Sequence, residues 1–320
     1  MRVDVARAFA FAWKTAGRLP GPVLRSLFGA AADVAWLRRG GGVRQLEKNL
    51  ARVRPELDAR ALRRLSRAGM RSYMRYFGES FALARMDKER IDARVRVVGI
   101  ENVRVFTDND QPIVLALGHT GNWDLAGAWC TREIAPVTTV AERLEPEELY
   151  QEFLAFRESI GITIFPLTGG GDVFRGLVRA ARQGAAILPL LADRDLTSKG
   201  LEVDLFGHRA RVAAGPAALA ITTGAALVTT VISYERLTGA QRRAAGSPWG
   251  IVIQFNKAIE MPADVPRADR VRAMTQAWVD EFAAGVRQHP QDWHMLQKVF
   301  VEDLDPERYA ATLAAQGSAG

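Results

Sequence analysis

A histidine and an aspartate, His119 and Asp124, are the residues of this chain whose types and spacing best suit acid–base chemistry. Four residues separate them, so a loop and one helical turn can bring both side chains to the same side of a crevice. A carboxylate that bonds one imidazole nitrogen lets the other nitrogen accept a proton. The pair therefore predicts a general base. A simpler interpretation makes the histidine a turn residue and places the aspartate at a helix start for its dipole.

The residues around this pair predict its position in the fold. Residues 112–117 form an apolar run typical of a buried strand, and residues 125–129 suit a helix. His119 thus follows the carboxyl end of a strand, the edge at which open α/β sheets bind their ligands. Gly121 permits close backbone approach, and Asn122 can either cap the helix or donate to a substrate oxygen.

A second carboxylate, Asp193, follows another apolar run at residues 186–191. An acid at this neighbouring strand end can orient the imidazole of His119 as the supporting member of a base–orienter pair. The alternative is a strand-end turn with an Arg–Asp surface pair. Sequence alone leaves open whether Asp124 or Asp193 contacts the histidine.

The pattern of apolar residues predicts an α/β fold with a central, mostly parallel or mixed sheet flanked by helices. We expect residues 1–92 to form a basic helical section that faces a membrane, and residues 93–320 to form the α/β core. The predicted strands are 95–100, 113–117, 137–140, 162–166, 186–191, 202–205, 226–233 and 251–255. The predicted helices are 3–17, 23–37, 43–53, 58–69, 70–86, 122–133, 145–160, 172–183, 213–223 and 267–287.

The positive charge of the chain is concentrated near its beginning. Residues 1–90 hold 20 Lys and Arg against 8 Asp and Glu, so the remainder carries −5 of the net +7. This excess predicts contact with phosphate groups of lipids or of nucleic acid. Helices 3–17 and 23–37 place apolar side chains between basic ones, which is typical of an interfacial helix. Alternatively, both helices pack on the core with solvated arginines.

Several classes of protein are disfavoured by composition. A hydrophobic content of 48% with 25% charged residues indicates a globular chain rather than a disordered one. The single cysteine, Cys130, excludes an internal disulfide. The histidines show no metal-ligand spacing, so we expect neither a metal nor a cofactor. No apolar run approaches the roughly 20 residues of a spanning helix, and no cleavable secretion signal is evident.

The combined motifs resemble those of a known family. The box His119–Asp124, the triplet Asp193–Asp195 and the closing segment Trp293–Gln297 resemble the bacterial lipid acyltransferases related to the late acyltransferases of lipid A. Within that group the chain is most similar to the actinobacterial phosphatidylinositol mannoside acyltransferases, over residues 45–306. The resemblance implies transfer of a fatty acyl group from acyl-CoA to a mannose hydroxyl of a phosphatidylinositol mannoside. It places the protein peripherally on the cytoplasmic face of the plasma membrane.

The resemblance also implies roles for particular residues. His119 acts as the general base, with Asp124 and Asp193 as the candidate carboxylates of the catalytic site. The resemblance implies an acidic residue at the position of Asp193 that relays charge with the histidine, and a longer Glu would reach farther than Asp193 does. Since no Ser or Cys stands in a nucleophile elbow, we expect direct transfer without an acyl-enzyme. We expect the backbone amides around Thr120 and Gly121, with those at the helix start, to bind the oxyanion.

Four further residues are predicted to bind substrate. The resemblance implies that Glu142 and Arg157 line the substrate groove, where the arginine binds an anionic oxygen and the glutamate binds sugar hydroxyls. Asn122 and Arg194 complete the predicted substrate-binding set.

Two other functions are compatible with the sequence. A lipid A-type late acyltransferase that uses acyl carrier protein has the same box, but more often begins with a spanning helix. A non-catalytic protein with a basic surface that binds nucleic acid or lipid is the second alternative, although no nucleic-acid motif is found. We expect a monomer whose partners are acyl-CoA, the glycolipid and an anionic membrane, and no nucleic acid.

Overall fold

The computed structural model of the protein describes residues 19–141, 147–166, 171–261 and 263–317. The predicted helix 3–17 and the predicted substrate-binding residue Glu142 lie outside the described residues.

A seven-stranded sheet forms the centre of the fold, in the order β1-β9-β8-β2-β5-β3-β4. Every neighbouring pair is parallel except β8 and β9, which are antiparallel. A separate antiparallel hairpin consists of β6 and β7. The strands are β1 Val95–Val98, β2 Ile113–Leu117, β3 Val137–Ala141, β4 Ile162–Pro166, β5 Ile187–Leu191, β6 Leu201–Leu205, β7 His208–Val212, β8 Ala226–Arg236 and β9 Trp249–Ala258. The predicted α/β class and mostly parallel sheet are confirmed.

Twelve α-helices are described, some of which cover both faces of the sheet. They are α1 Gly21–Arg38, α2 Gly41–Val53, α3 Ala59–Leu83, α4 Lys88–Arg94, α5 Glu101–Thr107, α6 Trp123–Glu133, α7 Glu147–Ser159, α8 Gly171–Ala181, α9 Gly215–Thr223, α10 Gly239–Ala245, α11 Arg270–Gln288 and α12 Pro306–Gly317. Within the described parts of the chain, none of these helices combines the length and apolar character that crossing a bilayer requires.

The central strand β2 is buried along its whole length, as its apolar run predicts. Because side chains alternate across a sheet, Val114 and Ala116 join a core that contains Trp278 and Phe282. Ile113 and Leu115 instead join the core on the opposite face. The sheet is therefore covered on both faces, and its carboxyl edge is left to position the polar residues.

The register of β2 and β5 brings two of the predicted residues to that edge together. Leu117 pairs with Leu191 at the ends of the two parallel strands. His119 and Asp193 each follow two residues later, so both lie just beyond the same edge. The prediction of two strand-end groups meeting there is confirmed.

One amino-terminal helix is longer than predicted. Residues 58–69 and 70–86 were predicted as two helices, but α3 runs without a break over Ala59–Leu83. Gly69 does not interrupt it, since this glycine packs against α2: an added Cβ would lie 3.3 Å from a methyl carbon of Leu46. A glycine inside a helix here marks close approach of two helices rather than an end.

Helix α2 is fastened to the closing segment of the chain by a buried asparagine. The side-chain amide of Asn49 donates to the carbonyl of Met295 at 2.8 Å and to that of Gln297 at 2.9 Å. Its acceptor oxygen receives a hydrogen bond from Gln45 at 3.0 Å. One side chain thus satisfies two backbone carbonyls beside Trp293, which contacts the site described below.

We predict that Asn49→Ala lowers the free energy of unfolding by about 2 kcal/mol, because it leaves buried carbonyl groups without their donor. Urea unfolding followed by tryptophan fluorescence measures the change. Arg44→Ala, an exposed position on the same helix, is the matched control and should leave stability within about 0.5 kcal/mol of the parent. Equal stability of the Asn49 and Arg44 variants would contradict this view of α2.

Candidate active site

His119 and Asp193 form the closest contact between the predicted catalytic groups. The ring nitrogen Nδ1 of His119 lies 2.6 Å from Oδ1 of Asp193. The backbone N–H of the same histidine donates to Oδ2 at 3.0 Å. The Asp193 side chain is completely buried, whereas the histidine ring is 38% exposed. The carboxylate therefore supports the ring from behind, and the ring faces outward.

The state of the Asp193 carboxyl determines which ring nitrogen carries the proton. Burial alone would raise its pKa, but the charge of His119 and hydrogen bonds from His119 and Trp293 lower the pKa below its ordinary value. An ionised carboxylate only accepts hydrogen bonds, so Nδ1 must be the donor. In the neutral ring Nε2 is then the basic nitrogen, which is the arrangement that a general base needs.

Trp293 supplies the third hydrogen bond to the carboxylate. Its indole N–H donates to Oδ2 of Asp193 at 2.9 Å, and its side chain is fully buried. Gly118 leaves room for this arrangement, because an added Cβ would lie 2.1 Å from the ring of Phe282 and 2.9 Å from the carboxylate. The sequence predicted that the closing segment belongs to the motif set, but not that Trp293 contacts Asp193.

The backbone of the closing segment also holds the histidine loop. The amide of His294 donates to the carbonyl of His119 at 2.7 Å, and Thr120 forms an isolated antiparallel bridge with Trp293. Gly121 adopts a left-handed conformation with φ of 58°, which favours glycine. An added Cβ at that position would also lie 2.7 Å from the carbonyl oxygen of Ile232. The loop is thus fixed on several sides.

This close fixation contradicts part of the predicted oxyanion site. The amide of Thr120 donates to the carbonyl of Gly118 at 2.7 Å, and that of Gly121 donates to the carbonyl of Asp292 at 2.9 Å. Both amides are therefore occupied by backbone acceptors, and the prediction that they bind an oxyanion is wrong for this geometry. The tight turn that positions His119 consumes the donors.

Asp124 belongs to a different network from His119. Its Oδ1 accepts from Nε of Arg157 at 2.9 Å, and its Oδ2 accepts from the hydroxyl of Tyr76 at 2.8 Å. Burial lowers the pKa of Arg157, but Asp124 and Tyr76 raise it by more, so the pKa lies above its ordinary value. Of the two candidate carboxylates, Asp193 is the one that holds the histidine, and Asp124 ties α6 to α7 and α3.

Asn122 caps the helix that follows the box. Its side-chain oxygen accepts from the amide of Leu125 at 3.0 Å, and its side-chain nitrogen donates to Glu79 at 3.0 Å. The residue is 1% exposed. Because both ends of this buried amide are engaged inside the protein, the structure assigns Asn122 a capping role in place of the predicted substrate contact.

The remaining described substrate-binding candidates, Arg157 and Arg194, have partners inside the protein. Arg194 donates through Nε to the carbonyl of Lys298 at 3.0 Å, just after the closing segment. Arg157 stays a predicted groove residue whose Nε is already bonded to Asp124.

Two residues of α3 were not predicted as part of the site. Tyr76 contacts Asp124, while Glu79 accepts from Asn122 and from the hydroxyl of Tyr234 at 3.1 Å. Glu79 also forms a buried ion pair with Arg94. The available signal was a tyrosine and a glutamate three residues apart, hence on one helix face, within a helix dominated by arginine.

Comparisons with known proteins agree with the motifs. Residues 3–302 match the family model described as bacterial lipid A biosynthesis acyltransferase. A phosphatidylinositol mannoside acyltransferase of Mycolicibacterium smegmatis is 41% identical over 303 residues, covering 94% of this chain and 93% of that protein. A protein of the same name from Mycobacterium tuberculosis (strain CDC 1551 / Oshkosh) is 39% identical, covering 95% of this chain and 90% of its own length.

A crystal structure of the 1-acyl-sn-glycerophosphate acyltransferase from Thermotoga maritima aligns with 82% of this chain and 96% of its own, with 13% identity and a TM-score of 0.36. The family match spans most of the chain and includes the box, the triplet and the closing segment. Because the family is one of acyltransferases, the alternative of a non-catalytic binding protein is excluded. This chain therefore belongs to the bacterial lipid A biosynthesis acyltransferase family and is an acyltransferase.

Proposed function

We propose that this protein transfers a fatty acyl group from acyl-CoA to a mannose hydroxyl of a phosphatidylinositol mannoside. Two relatives at 39% and 41% identity, which align over at least 90% of both chains and are phosphatidylinositol mannoside acyltransferases, support this acceptor. The observation that carries the proposed chemistry is the contact between buried Asp193 and the partly exposed ring of His119.

In the proposed reaction, Nε2 of His119 removes the proton of the acceptor hydroxyl as its oxygen attacks the thioester carbonyl. The tetrahedral intermediate collapses with loss of the CoA sulfur, which takes the proton back from the imidazolium. Asp193 stabilises that imidazolium while it exists. A positioned base of this kind contributes roughly two to four powers of ten in rate.

Direct transfer without an acyl-enzyme is part of this proposal. The only cysteine of the chain, Cys130, is buried in α6, and burial raises the pKa of its thiol to about 12. Such a thiol is not ionised at neutral pH and is a poor nucleophile. The acyl group therefore moves from sulfur to the sugar oxygen in one displacement sequence.

The exposed face of α1 supports peripheral attachment to a membrane. Ten large apolar side chains are exposed in the described residues, and five of them lie in or just before this helix. These five are between 41% and 67% exposed: Leu19, Val23, Leu27, Val34 and Leu37. At 100° per residue they fall within an arc of about 80°. Arg38 and Arg39 follow at the end of the helix. An apolar face beside basic residues favours the surface of an anionic bilayer, which we propose to be the cytoplasmic face of the plasma membrane.

We predict that His119→Gln lowers kcat for acyl transfer by two to four powers of ten, because the amide cannot take the acceptor proton. The measurement uses palmitoyl-CoA with phosphatidylinositol mannosides and reads the product by mass. His208→Gln, a substitution on the exposed side of β7, is the control and should retain parental turnover. A folded His119 variant with near-parental turnover would exclude the residue as the base.

The same assay separates the two possible donors. We propose acyl-CoA, so turnover with palmitoyl-CoA should exceed turnover with the equivalent acyl carrier protein. The reverse preference would support the lipid A-type alternative.

We predict that Leu27→Glu together with Leu37→Glu weakens binding to anionic vesicles by about tenfold or more, since two apolar side chains no longer enter the interface. Sedimentation with vesicles containing phosphatidylinositol measures the bound fraction. Leu313→Glu on α12 introduces a charge at another exposed leucine and should change binding little. Equal loss in this control would refute a specific role for α1.

A further inference from the structure

A large basic cavity lies between α1, α3 and the strand ends near Trp249. Its volume is about 870 Å³. Seven arginines and two carboxylates are among its lining residues, which leaves an excess of five positive charges. No step of the proposed acyl transfer uses this cavity.

Both carboxylates in the wall are already bonded to arginines. Asp33 accepts from Arg67 and Arg71, with distances of 2.8 and 2.9 Å to the former. Glu79 pairs with Arg94. The other lining arginines are Arg25, Arg75, Arg85, Arg90 and Arg236. Among them, Arg90 lies 3.6 Å from the carboxylate of Asp87.

Two of these arginines are held against an aromatic wall. The guanidinium carbon of Arg75 lies 3.6 Å from the ring centroid of Trp249, and that of Arg236 lies 4.1 Å from it. Stacking on an aromatic face orients a guanidinium while its N–H groups at the edge can still donate. The guanidinium groups of Arg75 and Arg236 are thus held in fixed orientations before any ligand binds.

Arg25 on α1 lies where positive charges crowd together. Burial lowers its pKa below the ordinary value, Glu79 raises it in part, and Arg94 and Arg242 lower it again. Like charges kept at close range repel each other, and a bound anion would relieve that repulsion. The cavity therefore has the electrostatics of an anion site.

The cavity and the histidine site share one helix and one edge of the sheet. On α3, Arg71 and Arg75 line the cavity, whereas the next residues along, Ser72 and Tyr76, contact Asp292 and Asp124. At the sheet, Trp249 begins β9 opposite Arg236 at the end of β8, which continues past Thr229, the partner of Ala116 on β2. The cavity and the histidine site therefore flank one helix beyond the carboxyl end of β2.

We infer that this cavity binds the phosphodiester of the acceptor glycolipid while its sugar part extends to His119. This inference rests on the proposed function and adds the anchoring site of the acceptor. Arginine binds phosphate oxygens through paired, charge-assisted hydrogen bonds. The cavity lies under α1, whose exposed apolar face is the proposed membrane contact, so a lipid phosphate reaches it from the bilayer surface. In such an acceptor the inositol ring separates the phosphate from the mannose, which suits a phosphate site displaced from the base.

The test is titration calorimetry on the full chain with three separate ligands: monomeric short-chain phosphatidylinositol, coenzyme A and octyl mannoside. Binding is read without turnover, so the result stands even if transfer to mannosides is not observed. Arg25→Gln should weaken the binding of phosphatidylinositol by about tenfold, because one charge-assisted contact is lost. The affinities for coenzyme A and octyl mannoside should not change. Arg44→Gln, which removes the same charge from an exposed position on α2, is the matched control and should bind all three as the parent does.

Three results would overturn the inference. Parental affinity of Arg25→Gln for phosphatidylinositol would show that the cavity does not hold its phosphate. An equal loss of affinity in Arg44→Gln would show that the effect comes from overall charge. A loss for coenzyme A alone would assign the cavity to the phosphates of the donor instead.

Discussion

The buried carboxylate of Asp193 is the interaction on which the rest of the site depends. It receives hydrogen bonds from the ring and the backbone N–H of His119 and from the indole of Trp293. A charge without solvent is costly unless its oxygens are satisfied, so these three donors make an ionised, buried aspartate possible. In return the aspartate fixes both the direction and the tautomer of the histidine. Removing a donor would affect the base without touching the reacting atoms.

Much of the chain serves to hold these donors in place. The parallel register of β2 and β5 delivers His119 and Asp193 to one edge, and the closing segment adds Trp293 from the far end of the sequence. That segment is itself anchored by Asn49 on α2. The amino-terminal helices therefore support the contact between His119 and Asp193. Helix α3 contributes residues both to the network around Asp124 and to the wall of the basic cavity.

The strand-end positions of His119 and Asp193 could be predicted from sequence, because apolar runs define strands and parallel strands share an edge. The choice between Asp124 and Asp193 could not, since spacing along the chain says nothing about the direction of a buried side chain. The sequence allows Asn122 either to cap the helix or to donate to a substrate, and only its contact with Glu79 distinguishes the two roles. The amide of Gly121 is occupied by the carbonyl of Asp292, which lies 171 residues farther along the chain and is invisible to local patterns. Local sequence patterns do not predict contacts between residues that are far apart in the chain.

The central claim is that Asp193 keeps the proton of the neutral His119 ring on Nδ1, so that Nε2 is the basic nitrogen. Nitrogen-15 NMR of histidine-labelled protein at neutral pH tests it directly, with the His119 signals among the four histidines assigned by their loss in His119→Gln. We expect a strongly deshielded proton on Nδ1 and an unprotonated Nε2, and we expect that deshielding to disappear in Asp193→Asn. A neutral ring that carries its proton on Nε2, or a spectrum unchanged by Asp193→Asn, would contradict the account.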